Sequence, residues 1–366
     1  MDIRSLILGL ALPLLPSGTW NGEHPIAEAC ERTTGNGDEN ALAREILAHD
    51  YGVREADLTR LCKGRIITGT LPTPDARQMT LIGIVKLSAT AGQFTRYAEE
   101  VGRLVATEHV TALGSIDVSN LQTALQSYPI LADDVREVPS CEVGDCDVKL
   151  PRNVILEMAH LDPSSSRFET EVAATIRQWL RQYLSSYDTE GNTALVVYAD
   201  KDPPQPLHDG FNGLIADAQV LADRVPALYD YFNGTVDQPP NGAREGVIWS
   251  VERFGMRPLT TVTHGIVYRD SVAGHAEAWV AMKLLYASHY LHASLRLMRV
   301  VEDPASAEPA AYLVCIDRLL FDGKVRGVVR ALVKRRLRSH LADRMRDIRD
   351  SVSEYGLMMA DRSEDR

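Results

Sequence analysis

The chain has 366 residues, of which 45% are hydrophobic and 24% charged, a balance that supports a sizeable buried core and excludes disorder or a fibrous repeat. Its 39 basic and 50 acidic residues leave a formal charge of −11. That sign works against nucleic acid, which is not expected as a partner.

Residues 6–15 (LILGLALPLL) form an apolar run behind Arg4, the length of a signal-peptide core rather than of a bilayer span. Residues 1–29 are therefore expected to be a signal peptide or leader, and the protein periplasmic or secreted. An uncleaved anchor or a buried first helix are the alternatives, because Pro13 and Pro16 interrupt the run and the A-x-A triplet at 27–29 lies far from it. There are five cysteines, Cys30, Cys62, Cys141, Cys146 and Cys315, so an oxidising compartment leaves at least one without an internal partner. Cys141 and Cys146 bracket a turn that Gly144 permits, which predicts a structural disulfide, with a redox pair or reduced thiols as alternatives.

Residues 30–62 read as a Thr/Gly/Asn/Asp-rich linker and a short helix. Strands are predicted at 65–71 and 79–87; in the second, Leu81, Gly83, Val85 and Leu87 share one face. Thr90 caps the following helix, whose apolar residues recur through Val105. The middle, about 152–232, has helical periodicity: Ser166 and Glu169 suggest a capping box before Phe168, 193–198 a strand, and 211–225 a helix that Pro226 breaks or kinks. Five further strands are predicted at 246–253, 259–269, 278–287, 290–301 and 311–321. A closing helix at 324–352 has an apolar side from Val325 through Leu332, Leu341 and Met345 to Val352. Residues 356–366 read as a disordered tail.

This element order, carried by MTLIGIVKLSATAGQFTRYAEEV at 79–101 and by the run from GVIWSVERF at 246 through YLVCIDRLLFDG at 312–323 into the closing helix, resembles the START-like (SRPBCC, helix-grip) superfamily. The resemblance implies an α+β fold over residues 63–355, in which a curved antiparallel sheet grips a long C-terminal helix around an apolar cavity, with a helical insertion in the middle. CEVGDCDVKLP at 141–151 and YASHY at 286–290 also resemble segments of an uncharacterised family of exported bacterial proteins. That family implies no activity.

No phosphate loop, dinucleotide fingerprint, zinc-protease helix, nucleophile elbow or EF-hand loop is present in the sequence, so neither a cofactor nor a metal is expected. Strand alternation places His264 and Tyr268 on one face, and Lys283 lies within the next strand. With His289 of the ASHY segment, these are the candidate ligand-binding groups. Each also has a structural reading, as a satisfied core histidine, a strand-edge charge or a turn residue. Between Lys324 and Arg349 ten basic residues face only Asp343 and Asp347. Lys334, Arg335, Arg336 and Arg338 are candidates for contact with an anionic membrane surface, or are simply a solvated helix face. The function these features favour is an exported protein holding a hydrophobic or amphipathic small molecule, a lipid included, in a cavity. Two alternatives are a hydrolase or cyclase using His264 as acid/base and a non-binding envelope scaffold.

Overall fold

The computed structural model describes residues 39–253, 257–272, 275–304, 306 and 308–364. The expected leader at residues 1–29 lies outside the described residues, as does Cys30. The described chain opens with α1 (Glu39–Tyr51) and α2 (Glu55–Cys62), then β1 (Ile67–Leu71) and β2 (Gln78–Leu87). Thr90 caps α3 (Ala91–Ala98) as expected: its hydroxyl accepts the Gln93 N–H while the Gln93 side chain accepts the Thr90 N–H, satisfying two first-turn donors. The helix ends at Ala98, and the apolar spacing over Val101–Leu104 belongs to a 3-10 turn. β3 (Val110–Ile116) was not among the predicted strands, because Ile116 alone of its residues is buried and no clean alternation marks it.

After α4 (Leu121–Ala124) and α5 (Ala132–Glu137), Cys141 and Cys146 form the expected disulfide across a turn in which Gly144 takes φ +90°. The bridged loop is tied to the next segment by Gly144 N–H donating to the Ala199 carbonyl at 2.8 Å and Cys146 N–H to the Asp200 carbonyl at 3.0 Å. Closing so short a loop stabilises by about 2 kcal/mol through the entropy of the unfolded chain. Cys141→Ser is therefore expected to lower the unfolding free energy by about that amount, read from urea denaturation with and without reductant. Cys315 is a free, buried thiol.

The middle of the chain contains α6 (Arg152–Met158), α7 (Phe168–Glu190), the two-residue strands β4 (Val197–Tyr198) and β5 (Gln205–Pro206), α8 (Leu207–Ala216), α9 (Gln219–Arg224) and α10 (Pro226–Asn233). Three local expectations are corrected. The predicted Ser166 capping box does not form: α7 begins after Arg167, whose side chain makes no cap, and Ser165 Oγ accepts the Arg167 N–H instead. The strand expected over 193–198 shrinks to β4 because residues 191–194 coil into a 3-10 turn. The single helix expected over 211–225 is two, α8 and α9, parted at residues 217–218, whereas the break expected at Pro226 does occur, Pro226 starting α10 because its missing N–H is unneeded in a first turn.

The last part holds β6 (Arg244–Glu252), β7 (Leu259–Val272), β8 (His275–Ala287), β9 (Leu291–Glu302), β10 (Ala311–Phe321) and α11 (Gly327–Glu364). α11 continues to Glu364, through residues expected to be tail. Eight strands form one antiparallel sheet in the order β1-β2-β10-β9-β8-β7-β6-β3. The fold is α+β.

Period-two alternation gives the sheet two apolar faces, and both are covered. On one, Leu81, Val85, Val280, Met298 and Leu313 pack with α3 and with Leu341, Met345 and Ile348 of α11. The approach is close: a Cβ at Gly83 of β2 would stand 3.0 Å from Leu341. On the other face, α1 and α2 cover Ile84 and Val314, while α6–α10 cover Trp249, Ile266, Trp279 and Leu285. Leu332, expected on the apolar side of α11, is 44% exposed.

Candidate functional site

His264 and Lys283 face each other across β7 and β8, on the sheet face turned toward α7–α10 and away from α11. Both are buried, and both are held by side chains of the helical layer and β6. Tyr187 stands 2.9 Å from His264 Nδ1, and Glu245 stands 3.1 Å from Nε2. Burial keeps the His264 pKa below its ordinary value against the pull of Glu245, so the ring is neutral at pH 7. Only one tautomer then satisfies every group: the Tyr187 hydroxyl donates to Nδ1 and Nε2–H donates to Glu245. Lys283 Nζ donates to Asn192 Oδ1 at 2.5 Å and lies 5.0 Å from the ring centres of Tyr187 and Phe211.

Tyr268 lies on the same face as His264, half-buried, and pairs with Trp279. His289 sits apart, in the β8–β9 turn, with Nε2 2.8 Å from Asp134 and Nδ1 2.9 Å from the Asp147 carbonyl. The four expected ligand groups therefore do not converge. Lys334 and Arg335 are exposed on α11, Arg336 is half-buried and Arg338 donates to the Thr68 carbonyl of β1 at 2.9 Å.

The room between α11 and the sheet is lined by other residues. It is a cavity of about 100 Å³. Leu81, Met282, Leu284 and Leu319 form its floor, and Val333, Leu337 and Leu341 of α11 its roof. One end is polar. There the Asp317 carboxylate accepts from Arg296 Nε at 2.5 Å and Nη2 at 3.2 Å, and from Arg344 Nη1 at 3.1 Å. Burial alone would raise the Asp317 pKa, but the charges of Arg296 and Arg344 outweigh it and hold the carboxyl below its ordinary 3.8. Glu252, which accepts from Ser250 at 2.9 Å, completes this end. Arg344 is 5% exposed, and its Nε makes no hydrogen bond among the described residues. A buried donor left unpaired costs about 1–3 kcal/mol, which a ligand acceptor would recover.

Sequence reading missed this polar end, although a signal was there. Arg344 falls on the apolar side of α11 between Leu341 and Met345, while Arg296 shares a strand face with Met298, and Asp317 with Leu313 and Cys315. Charges at positions that periodicity marks as buried need partners. Comparison with protein-family models, curated proteins and solved structures finds no match to this chain. Among the described residues no helix is long and apolar enough to cross a membrane.

Proposed function

We propose that this is an exported, START-like carrier that holds an amphipathic small molecule beneath its terminal helix. The observation that supports it is the cavity under α11, with apolar walls and an arginine donor left open at one end. Apolar burial supplies affinity in such a site and the few polar groups supply orientation. An apolar cavity of about 150 Å³ takes up benzene, so the 100 Å³ here accepts a short apolar body, and a longer chain requires the first half of α11 to move outward. The ligand's acceptor group, a carboxylate or phosphate oxygen, lies against Arg344. Lys334 and Arg335 on the outer side of α11, beside exposed Val328 and Leu332, suit loading from an anionic membrane surface.

Titration of the full chain with decanoate, followed by calorimetry, tests this reading. Binding is expected, roughly 10- to 100-fold weaker in Arg344→Met through loss of one charged hydrogen bond, and absent in Ser294→Phe, which fills the cavity. Equal binding by both variants, or no decanoate binding together with no copurifying small molecule in native mass spectrometry, would sink the carrier assignment.

A further inference from the structure

A second site stands just outside that cavity, where the turn leading into β3 meets α11. Glu108 and His109 occupy the turn, and Asp343 projects from the helix. Adjacent residues on an extended strand point to opposite sides, so the turn is what lets Glu108 and His109 converge. The Glu108 Oε1 lies 3.4 Å from His109 Nε2, and the Asp343 Oδ2 lies 3.7 Å from the same nitrogen. One candidate ligand atom from each residue falls within 4.8 Å of the others.

The nitrogen at the centre is the informative atom. His109 Nε2 is shielded from solvent and makes no hydrogen bond among the described residues, although two carboxylates stand beside it. Asp343 Oδ2, at 3.7 Å, lies beyond hydrogen-bond reach. The Glu108–His109 spacing fits another arrangement, since a tetrahedral centre with bonds of about 2.0–2.1 Å sets its ligand atoms about 3.3–3.4 Å apart, and Asp343 Oδ2 stands only slightly farther off. Asp343 is already prepared for it, because Oδ1 accepts from Arg346 at 2.8 Å and Oδ2 is the oxygen turned toward His109. The His340 ring packs edge-on against His109, with centroids 3.7 Å apart. It stands between the cluster and the cavity, whose wall it also forms.

We infer that Glu108, His109 and Asp343 bind a divalent transition-metal cation of the zinc class. One imidazole with two carboxylates favours Zn²⁺ over Ca²⁺, which takes six or more oxygen ligands, and leaves a fourth position for water. The cation would pin α11 to the start of β3. This site does not depend on the carrier assignment.

The test is calorimetric titration of the full chain with Zn²⁺ and separately with Ca²⁺, after chelator treatment. A single Zn²⁺ equivalent is expected, with no comparable Ca²⁺ binding. Glu108→Gln and Asp343→Asn are each expected to weaken Zn²⁺ roughly 10- to 100-fold. The Glu108 side chain is 72% exposed, so its variant keeps the fold, as circular dichroism will verify. Failure of the parent chain to take up Zn²⁺, or Zn²⁺ binding undiminished in Glu108→Gln, overturns the site.

Discussion

Between pH 7 and 10.5 the stability difference between Lys283→Met and the parent chain is expected to shift by several kcal/mol in the parent's favour. Lys283 is 3% exposed. Burial, opposed by the attraction of Glu245, pushes its pKa down to about 7 from 10.5. The folded value lies below the unfolded one, so the unfolded chain binds more protons across that window and stability rises with pH. The charge therefore opposes folding in full below pH 7, and the opposition fades as the pH approaches 10.5. The slope is about 1.4 kcal/mol per pH unit for one proton, which gives a total of order 5 kcal/mol. Methionine fills much of the same space without a charge, but leaves Asn192 Oδ1 without its donor, a cost that does not vary with pH. Urea denaturation of both proteins at several pH values separates the two effects. A difference that stays flat with pH would show that the ammonium is not desolvated in the fold.

Asp317→Ala is expected to lower the unfolding free energy by about 3–5 kcal/mol, since it leaves buried arginines without their counter-charge. Arg296 and Arg344 both donate to this one carboxylate. Because the folded pKa of Asp317 is depressed below 3.8, its stabilisation is complete above that value and lost as the pH falls through the folded pKa. The variant should accordingly lose less stability on acidification than the parent does. Replacing Arg296, Asp317 and Arg344 together by apolar residues of similar volume is expected to be nearly neutral or stabilising, yet to abolish decanoate binding. Denaturation and calorimetry on that triple variant distinguish a group kept for binding from one kept for stability. A triple variant that still bound decanoate would remove the polar end from the proposed site.

The sheet was legible where strands are long and buried on alternating positions. The five predicted strands of the last third recur as β6–β10 with small shifts of boundary, and 311–321 matches β10 at both ends. β3 was not legible, because an edge strand with one buried residue carries almost no periodicity. The helical middle was legible as helix and in its break at Pro226, where Val225 takes the extended φ of −139° that a following proline favours, but the break at Ala218 between α8 and α9 carries no proline or glycine to mark it. The candidate ligand residues were chosen from strand alternation, which says which residues share a face but not which layer covers it. His264 and Lys283 do share a face, and it is the one under α7–α10. Glu108, His109 and Asp343 were invisible for a different reason, since only the docking of α11 brings residues so distant in sequence together.

The sheet joins its earliest long strand to its last. Gln78 pairs with Leu320 and Leu87 with Ala311, so β2 lacks its central neighbour until β10 exists. The edge strand β3 likewise waits for β6, with Ile116 opposite Val247. Ladders of this kind incur the entropy of closing very long loops before any contact rewards it, which slows folding. During synthesis the ribosome must release the chain through β10 before the sheet can close, and until then the unpaired margin of β2 is open to chaperones or to self-association.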